Sequence, residues 1–247
     1  MFFQADPGTS WAGSIAACME YPHNRPYTAD DLVRIITLLR DPVNGCPWDK
    51  VQTHTSIRMN FLEEAYEAVD ALDLDDPVLM CEELGDVLMQ VAFHTCMEQE
   101  TGRFTWEQVC DGVCQKLIER HPNIFGTQPG YEGITDWDAL KNKEKGRRTL
   151  ADDLESVPRA MPALMRAAKL QKRAARHGAA LQGADAAALA DAAENLQTAQ
   201  PASAQAEQVV GELLFAAANL ARQAGVDPEQ ALQKANEAFC TAAGPVA

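Results

Sequence analysis

Aromatic side chains supply only 6% of this chain, and acidic residues outnumber basic ones 36 to 21. The formal net charge of −15 argues against a broad surface for polyanions, so no nucleic-acid polymer is expected as a partner. A small phosphorylated ligand stays open, because a bound cation can reverse the field locally. No apolar run approaches the roughly 20 residues that cross a bilayer, so no membrane partner is expected. The start of the chain lacks the basic and apolar regions of a signal peptide. Residues 1–26, with Pro7, Gly8, Gly13, Pro22 and Pro26, read as a poorly ordered tail. Seven cysteines are present, none in a C-x-x-C pair. Cys110 and Cys114 lie four apart on a predicted helix, which is poor disulfide geometry. An odd number without framework spacing implies reduced thiols and a cytoplasmic protein.

Against these absences stands an abundance of Ala, Leu, Glu and Gln, which favours helix. At 47% hydrophobic, 247 residues can bury one large core or two small ones. The periodicity predicts a helix over 29–40 capped by Thr28, with Leu32, Ile35, Ile36 and Leu39 as its apolar stripe. A second helix, capped by Thr55 or Ser56, runs to about Leu72, with Ile57, Phe61, Ala65, Ala68 and Leu72 inward. A third starts at Pro77 and runs to about Glu100, carrying Leu79, Leu84, Val87, Leu88, Val91 and Phe93, and stops at Thr101-Gly102. A fourth follows Thr105 and ends near Arg120, before Pro122. No strand-like alternation interrupts them. The expectation is an all-α fold whose first half is a four-helix antiparallel bundle.

Two acidic clusters sit inside the second and third helices, Glu63-Glu64-Ala65-Tyr66-Glu67 and Glu82-Glu83-Leu84-Gly85-Asp86. The turn signal Asp73-Leu74-Asp75-Asp76-Pro77 lies midway between them. Antiparallel pairing about Asp75 sets Glu64 level with Asp86 and Glu67 level with Glu83. Up to six carboxylates then converge. Like charges so crowded need a counter-ion, and an all-oxygen set suits a hard cation such as Mg²⁺.

Past Arg120 the sequence predicts a loop, a short basic helix over 136–145, a linker bracketed by Pro158 and Pro162, and a helix over 163–176. The segment 184–206 is Ala-rich and contains Pro201, so part of it reads as loose. Helices are expected again over 208–223, closed by Gly225, and over 229–239. An internal repeat links the halves: Leu84-Gly85-Asp86-Val87-Leu88 matches Val210-Gly211-Glu212-Leu213-Leu214, and Gln115-Lys116 has a counterpart in Gln233-Lys234. The second half reads as a divergent copy of a whole bundle unit.

Cys46-Pro47-Trp48-Asp49, the two acidic clusters and Arg120-His121-Pro122-Asn123-Ile124-Phe125-Gly126, in that order, resemble the MazG family. The second half resembles the C-terminal domain of the tandem form, in residues 164–172 and 219–222. The resemblance implies two tandem helical units. The expected division is a catalytic domain over 27–148, a linker over 149–162 and a divergent, non-catalytic domain over 163–247. It implies cleavage of an NTP or dNTP to monophosphate and pyrophosphate with Mg²⁺, or Mn²⁺ in its place. It maps metal binding onto Glu63, Glu64, Glu67, Glu83 and Asp86, with Glu64 also the candidate to take the proton of the attacking water and Glu82 an outer candidate. It places Lys116 and Arg120 on the triphosphate and Trp137 and Lys141 in a segment closing over the nucleotide, with Trp48 and Asp49 bordering the pocket. A homodimer is implied as well. His54, His94 and His121 receive no role.

The second half departs from that pattern. Its clusters read Glu194-Asn195-Leu196-Gln197-Thr198 and Gln208-Val209-Val210-Gly211-Glu212, so most of the carboxylates are replaced. The competing readings are a di-iron carboxylate bundle and a non-catalytic helical dimer that senses nucleotides. The first needs Glu-x-x-His pairs, and Glu20-Tyr21-Pro22-His23 in the tail does not supply them on a helix.

Overall fold

The structure, a computed structural model, describes residues 21, 23, 25–122, 124–126, 146 and 149–244. Among these residues there are nine α-helices and one 3-10 turn and no strand, so the fold is all-α. The chain divides into two units, Met1–Gly133 and Ile134–Ala247.

In the first unit, α1 (Ala29–Leu39) is followed by a 3-10 turn (Asp49–Val51), α2 (His54–Asp73), α3 (Pro77–Glu100) and α4 (Trp106–Arg120). Thr28 caps α1 with a reciprocal box: its hydroxyl accepts from the Asp31 amide while the Asp31 carboxylate accepts from the Thr28 amide. α2 begins two to three residues earlier than the sequence suggests. Thr53, not Thr55 or Ser56, is its N-cap, and Ser56 is the third-position partner that returns the bond. Asp76 caps α3 by accepting from the amides of Val78 and Leu79, with Pro77 at the first helical position. Asp75, at φ 52°, lies in the left-handed region and turns the chain between α2 and α3.

α3 is the central helix, packed against α2, α1 and α4. The core comprises Val33, Ile36, Ile57, Ala92, Phe93, Cys96, Met97 and Trp106. Four predicted inward residues turn out to face solvent: Leu39 is 39% exposed, Leu72 53%, Leu84 53% and Leu88 40%. Small residues take the inward places instead. Ala68, Ala71 and Ala92 are buried, and short side chains let α2 and α3 approach closely.

The loop after α1 is fixed by Arg40, which is buried. Its guanidinium donates to Glu100 through Nε at 2.5 Å and Nη2 at 2.8 Å, and through Nη1 to the carbonyls of Asp49 and Gln52. Gly45 is required there, because a Cβ would lie 2.4 Å from the Asp41 and Leu39 carbonyl oxygens.

The second unit holds α5 (Leu150–Glu155), α6 (Ala163–Arg176), α7 (Ala186–Thr198), α8 (Ala204–Gln223) and α9 (Pro228–Ala243). α5 lies within the stretch expected as linker. α7 corrects the reading of 184–206 as partly loose: Asp185 caps it and Ala-rich composition carries it, since Ala is the strongest helix former. α7 packs extensively on α8, and α6 packs on α8 and α9. The buried Asp153 of α5 joins α6 through Arg173 Nη1 at 3.0 Å and His177 Nε2 at 3.2 Å. The six described cysteines, Cys46, Cys81, Cys96, Cys110, Cys114 and Cys240, are free thiols. No helix among the described residues is long and apolar enough to cross a membrane.

Candidate active site

The α2–α3 hairpin brings Glu64, Glu83 and Asp86 together, with one carboxylate oxygen of each within 4.8 Å of the others. Glu83 and Asp86 are three apart, so they follow one another on the same face of α3, and Glu64 meets them from α2. The turn at Asp75 sets this register. All three are half-buried, and none forms an ion pair with a Lys or Arg among the described residues. Partial burial, then the charges of Asp86, Glu67 and Glu83, push the Glu64 carboxyl above its ordinary range, against a hydrogen bond from Gln90. Glu83 is pushed up by desolvation and then by Glu67, Asp86 and Glu82.

The remaining predicted ligands are placed less centrally. Glu67 is exposed, close enough to act on both Glu64 and Glu83 through its charge. Glu63 is exposed and lies outside the trio, as does Glu82. The expected convergence of six carboxylates is therefore three half-buried groups with Glu67 and Glu82 acting on them by charge. Glu64 is one residue beyond Glu63 on α2, and a step of one residue rotates a side chain by about 100° around a helix.

A divalent cation fits this set on its chemistry. The donors are all oxygen, they repel one another, and no cationic side chain among the described residues pairs with them. Gln90 adds a further sign. Its Nε2 donates to Glu64 Oε1 at 3.4 Å, and its own Oε1 is buried without a protein partner, an acceptor suited to a water. Gln90 was missed in the sequence, although it stands four residues past Asp86, where one more turn of α3 carries the same face.

Lys116 is exposed and Arg120 half-buried, both in the C-terminal half of α4. α4 packs on α3, the helix of Glu83 and Asp86. Trp137 and Lys141 lie outside the described residues. Trp48 is 56% exposed and meets Phe93 edge-on at 6.5 Å, and Asp49 lends its carbonyl to Arg40, so both are built into the loop after α1.

The histidines given no role in the sequence do have a structural one. His54, at the start of α2, stacks on His94 of α3 with ring centroids 5.0 Å apart and Nδ1 atoms 2.7 Å apart. His54 Nε2 lies 2.6 Å from Glu98, which is buried and also bound by Arg103. One imidazole donates and the other accepts across the Nδ1–Nδ1 contact, according to their tautomers. Burial, then the neighbouring His54, hold His94 below its ordinary value. No sequence spacing signals this contact, because 40 residues separate the two rings.

Comparison with known proteins bears on this hairpin directly. The MazG nucleotide pyrophosphohydrolase domain matches residues 52–125, which contain both acidic clusters and α4. The nucleoside triphosphate pyrophosphohydrolase of Escherichia coli K12 is 41% identical over 219 residues, covering 85% of this chain and 83% of that protein. The chain belongs to the MazG family. A second member, the nucleoside triphosphate pyrophosphohydrolase/pyrophosphatase MazG of Thermotoga maritima, is 39% identical over 212 residues and is covered to 82% of its length. The Mycobacterium tuberculosis relative, also named a nucleoside triphosphate pyrophosphohydrolase, matches over 151 residues at 35% identity, 60% of this chain and 46% of that protein. As a MazG member the chain is placed among hydrolases of phosphoanhydride bonds, and the resemblance drawn from its acidic motifs is the correct one.

Proposed function

We propose that this protein hydrolyses nucleoside or deoxynucleoside triphosphates to the monophosphate and pyrophosphate, with Mg²⁺, in its first unit. The observation that carries the reading is the Glu64–Glu83–Asp86 cluster on the α2–α3 hairpin, three carboxylates within 4.8 Å of one another. Membership of the MazG family supplies the reaction class.

Glu64, Glu83 and Asp86 would hold the metal, with Glu67 and Glu63 as further carboxylates at the rim. A bound Mg²⁺ would neutralise phosphate charge and lower the pKa of a coordinated water. Glu64 accepts the proton of the attacking water: it is half-buried, its basicity is raised by its surroundings, and Gln90 orients it. Lys116 and Arg120 on α4 offer positive charge to the phosphate chain. Trp137 and Lys141 close over the nucleotide, the indole against the base. The first unit works as a homodimer, since Tyr66, Leu72, Leu84 and Leu88 leave apolar surface of α2 and α3 open at 40% exposure or more. The second unit packs without catalysing, and the protein acts in the cytoplasm.

Release of pyrophosphate from a panel of normal and modified NTPs and dNTPs, with and without Mg²⁺, tests the reading. Activity that requires the metal and disappears in Glu64→Gln supports it. Full activity in that variant sinks it. Nucleotide binding without any turnover would favour the alternative, a non-catalytic nucleotide-sensing dimer.

A further inference from the structure

The second unit contains a groove of about 600 Å³ between α6 and the turn joining α8 to α9. Met161, Met165, Lys169, Lys172, Arg222 and Val226 line it. Met165, Lys169 and Lys172 recur at four- and three-residue steps, so they share one face of α6. Three cations thus converge in a chain whose net charge is −15. Neither lysine has an ion-pair partner among the described residues.

Arg222 is held in place from behind. Asn219, only 2% exposed, donates through Nδ2 to the Ala184 carbonyl at 2.6 Å. Its Oδ1 accepts from Arg222 Nε at 2.9 Å, which fixes the plane of the guanidinium and leaves its terminal nitrogens for another partner. The turn is equally fixed: Gly225, at φ 73°, donates to the Arg222 carbonyl, and the Val226 amide donates to Ala221. One carboxylate, Asp227, also lines the groove. Its Oδ1 accepts from the amides of Glu229 and Gln230, so its charge is engaged with the N-terminus of α9.

Three cations gathered beside one carboxylate that is already engaged by backbone amides favour an anion between them. Two ammonium groups and an oriented guanidinium match phosphate oxygens, the Arg by a fork and the Lys as point charges. The volume falls in the range of small-molecule sites and exceeds the need of a single phosphate. The methionines give an adaptable apolar wall beside the cations. We propose that this groove is a second, non-catalytic anion site that binds a chain of phosphates, carried by a nucleotide or by pyrophosphate. It rests on the proposed hydrolysis only for the source of that ligand; the site itself shares no residue with the Glu64 cluster.

The test is calorimetric titration of the full-length chain, treated with chelator, with inorganic pyrophosphate and separately with a hydrolysis-resistant α,β-methylene nucleoside triphosphate. Without a divalent cation the carboxylate cluster repels phosphates, so saturable binding of one anion per chain reports the groove. The double variant Lys169→Gln/Lys172→Gln is expected to bind at least about tenfold more weakly with unchanged helical circular dichroism. The charge-keeping Lys172→Arg should retain binding. Glu64→Gln should bind as the unaltered chain does, which separates this site from the proposed active site. Binding of both probes assigns recognition to the phosphate chain, and binding of the triphosphate alone adds the nucleoside; either supports the site. No saturable binding, or binding indifferent to the lysines, overturns it. So does a double variant whose oligomeric mass changes while its anion binding does not. Failure of the chain to release pyrophosphate would refute the hydrolysis and leave these binding results to stand or fall alone.

Discussion

The α2–α3 hairpin of the first unit and the α7–α8 hairpin of the second are two versions of one arrangement. In both, two helices pair closely through buried alanines: Ala68, Ala71 and Ala92 in the first, Ala192, Ala216 and Ala218 in the second. In the first, Glu64, Glu83 and Asp86 crowd together without a cationic partner among the described residues. In the second, Glu212 accepts from Gln208 Nε2 at 2.8 Å, an amide where the first hairpin has an acid. The second hairpin has settled its electrostatics within itself, and the first has not. Unrelieved repulsion costs stability, so its retention on one hairpin alone points to a ligand that relieves it.

The sharpest way to break the comparison is to remove that asymmetry. Glu64→Gln makes the first hairpin resemble the second, and pyrophosphate release is expected to fall by about a thousandfold, on the order of 4 kcal/mol in the barrier. Retained turnover would show that the carboxylate crowding has no catalytic role.

The units also differ in how they bury an arginine near the end of their first long helix. Arg173 reaches Asp153, which is 1% exposed, whereas Arg40 reaches Glu100, whose side chain is 45% exposed. Removing a buried partner strands a charge, so Asp153→Ala should cost about 3–5 kcal/mol in the second unit. Glu100→Ala should cost on the order of 1 kcal/mol in the first, because solvent screens that pair and Arg40 keeps two carbonyl acceptors. Hydrogen exchange under increasing urea reads each unit separately. Equal losses would contradict the burial argument.

How much of this was legible beforehand follows from what each signal depends on. The hairpin register was legible, because Asp75-Asp76-Pro77 fixes the turn and the two clusters lie equidistant from it. Which carboxylate faces inward was less so: Glu63 and Glu64 are adjacent, and only packing decides which rotates toward α3. Helix ends marked by Thr28, Pro77, Thr105 and Gly225 were found where the caps are unambiguous. At α2 the sequence offered Thr55 or Ser56, and the cap is Thr53 instead, because only its hydroxyl can exchange reciprocal bonds with Ser56 three residues on. α7 carries only Leu189 and Leu196 as large apolar residues, so its periodicity is faint while its alanines still form helix. Leu72 and Leu84 follow the helical repeat of a core, yet point outward, as a second apolar face does. The Glu98–His54–His94 arrangement depends on long-range packing that no local pattern encodes.

A smaller effect separates two titrations within the first unit. His94 is held below its ordinary value of 6.5, so as pH falls the unfolded chain takes the proton first and stability is lost from about that pH downward. Glu64 is held above its ordinary 4.5, so the folded chain takes the proton first and stability is gained as pH falls toward that value. In chelator, His94→Gln should remove the loss between neutral and mildly acidic pH. Glu64→Gln should remove the gain and raise Tm at neutral pH, although it abolishes activity. Thermal melts across that range check both signs, and a lower Tm for metal-free Glu64→Gln at neutral pH would contradict the repulsion inferred at the cluster.

The smallest expected effect is the most discriminating between the hairpins. Glu212 is exposed and already hydrogen-bonded to Gln208, so Glu212→Gln exchanges one surface polar group for another. Turnover should stay within about twofold, since a change of less than half a kcal/mol is the usual result of such a surface substitution. The position matches Asp86 by sequence, so the same change at the two sites is a paired experiment on one scaffold. If Glu212→Gln cost tenfold or more while Asp86→Asn cost little, the chemistry would belong to α7–α8. The crowded carboxylates of α2–α3 would then need another explanation.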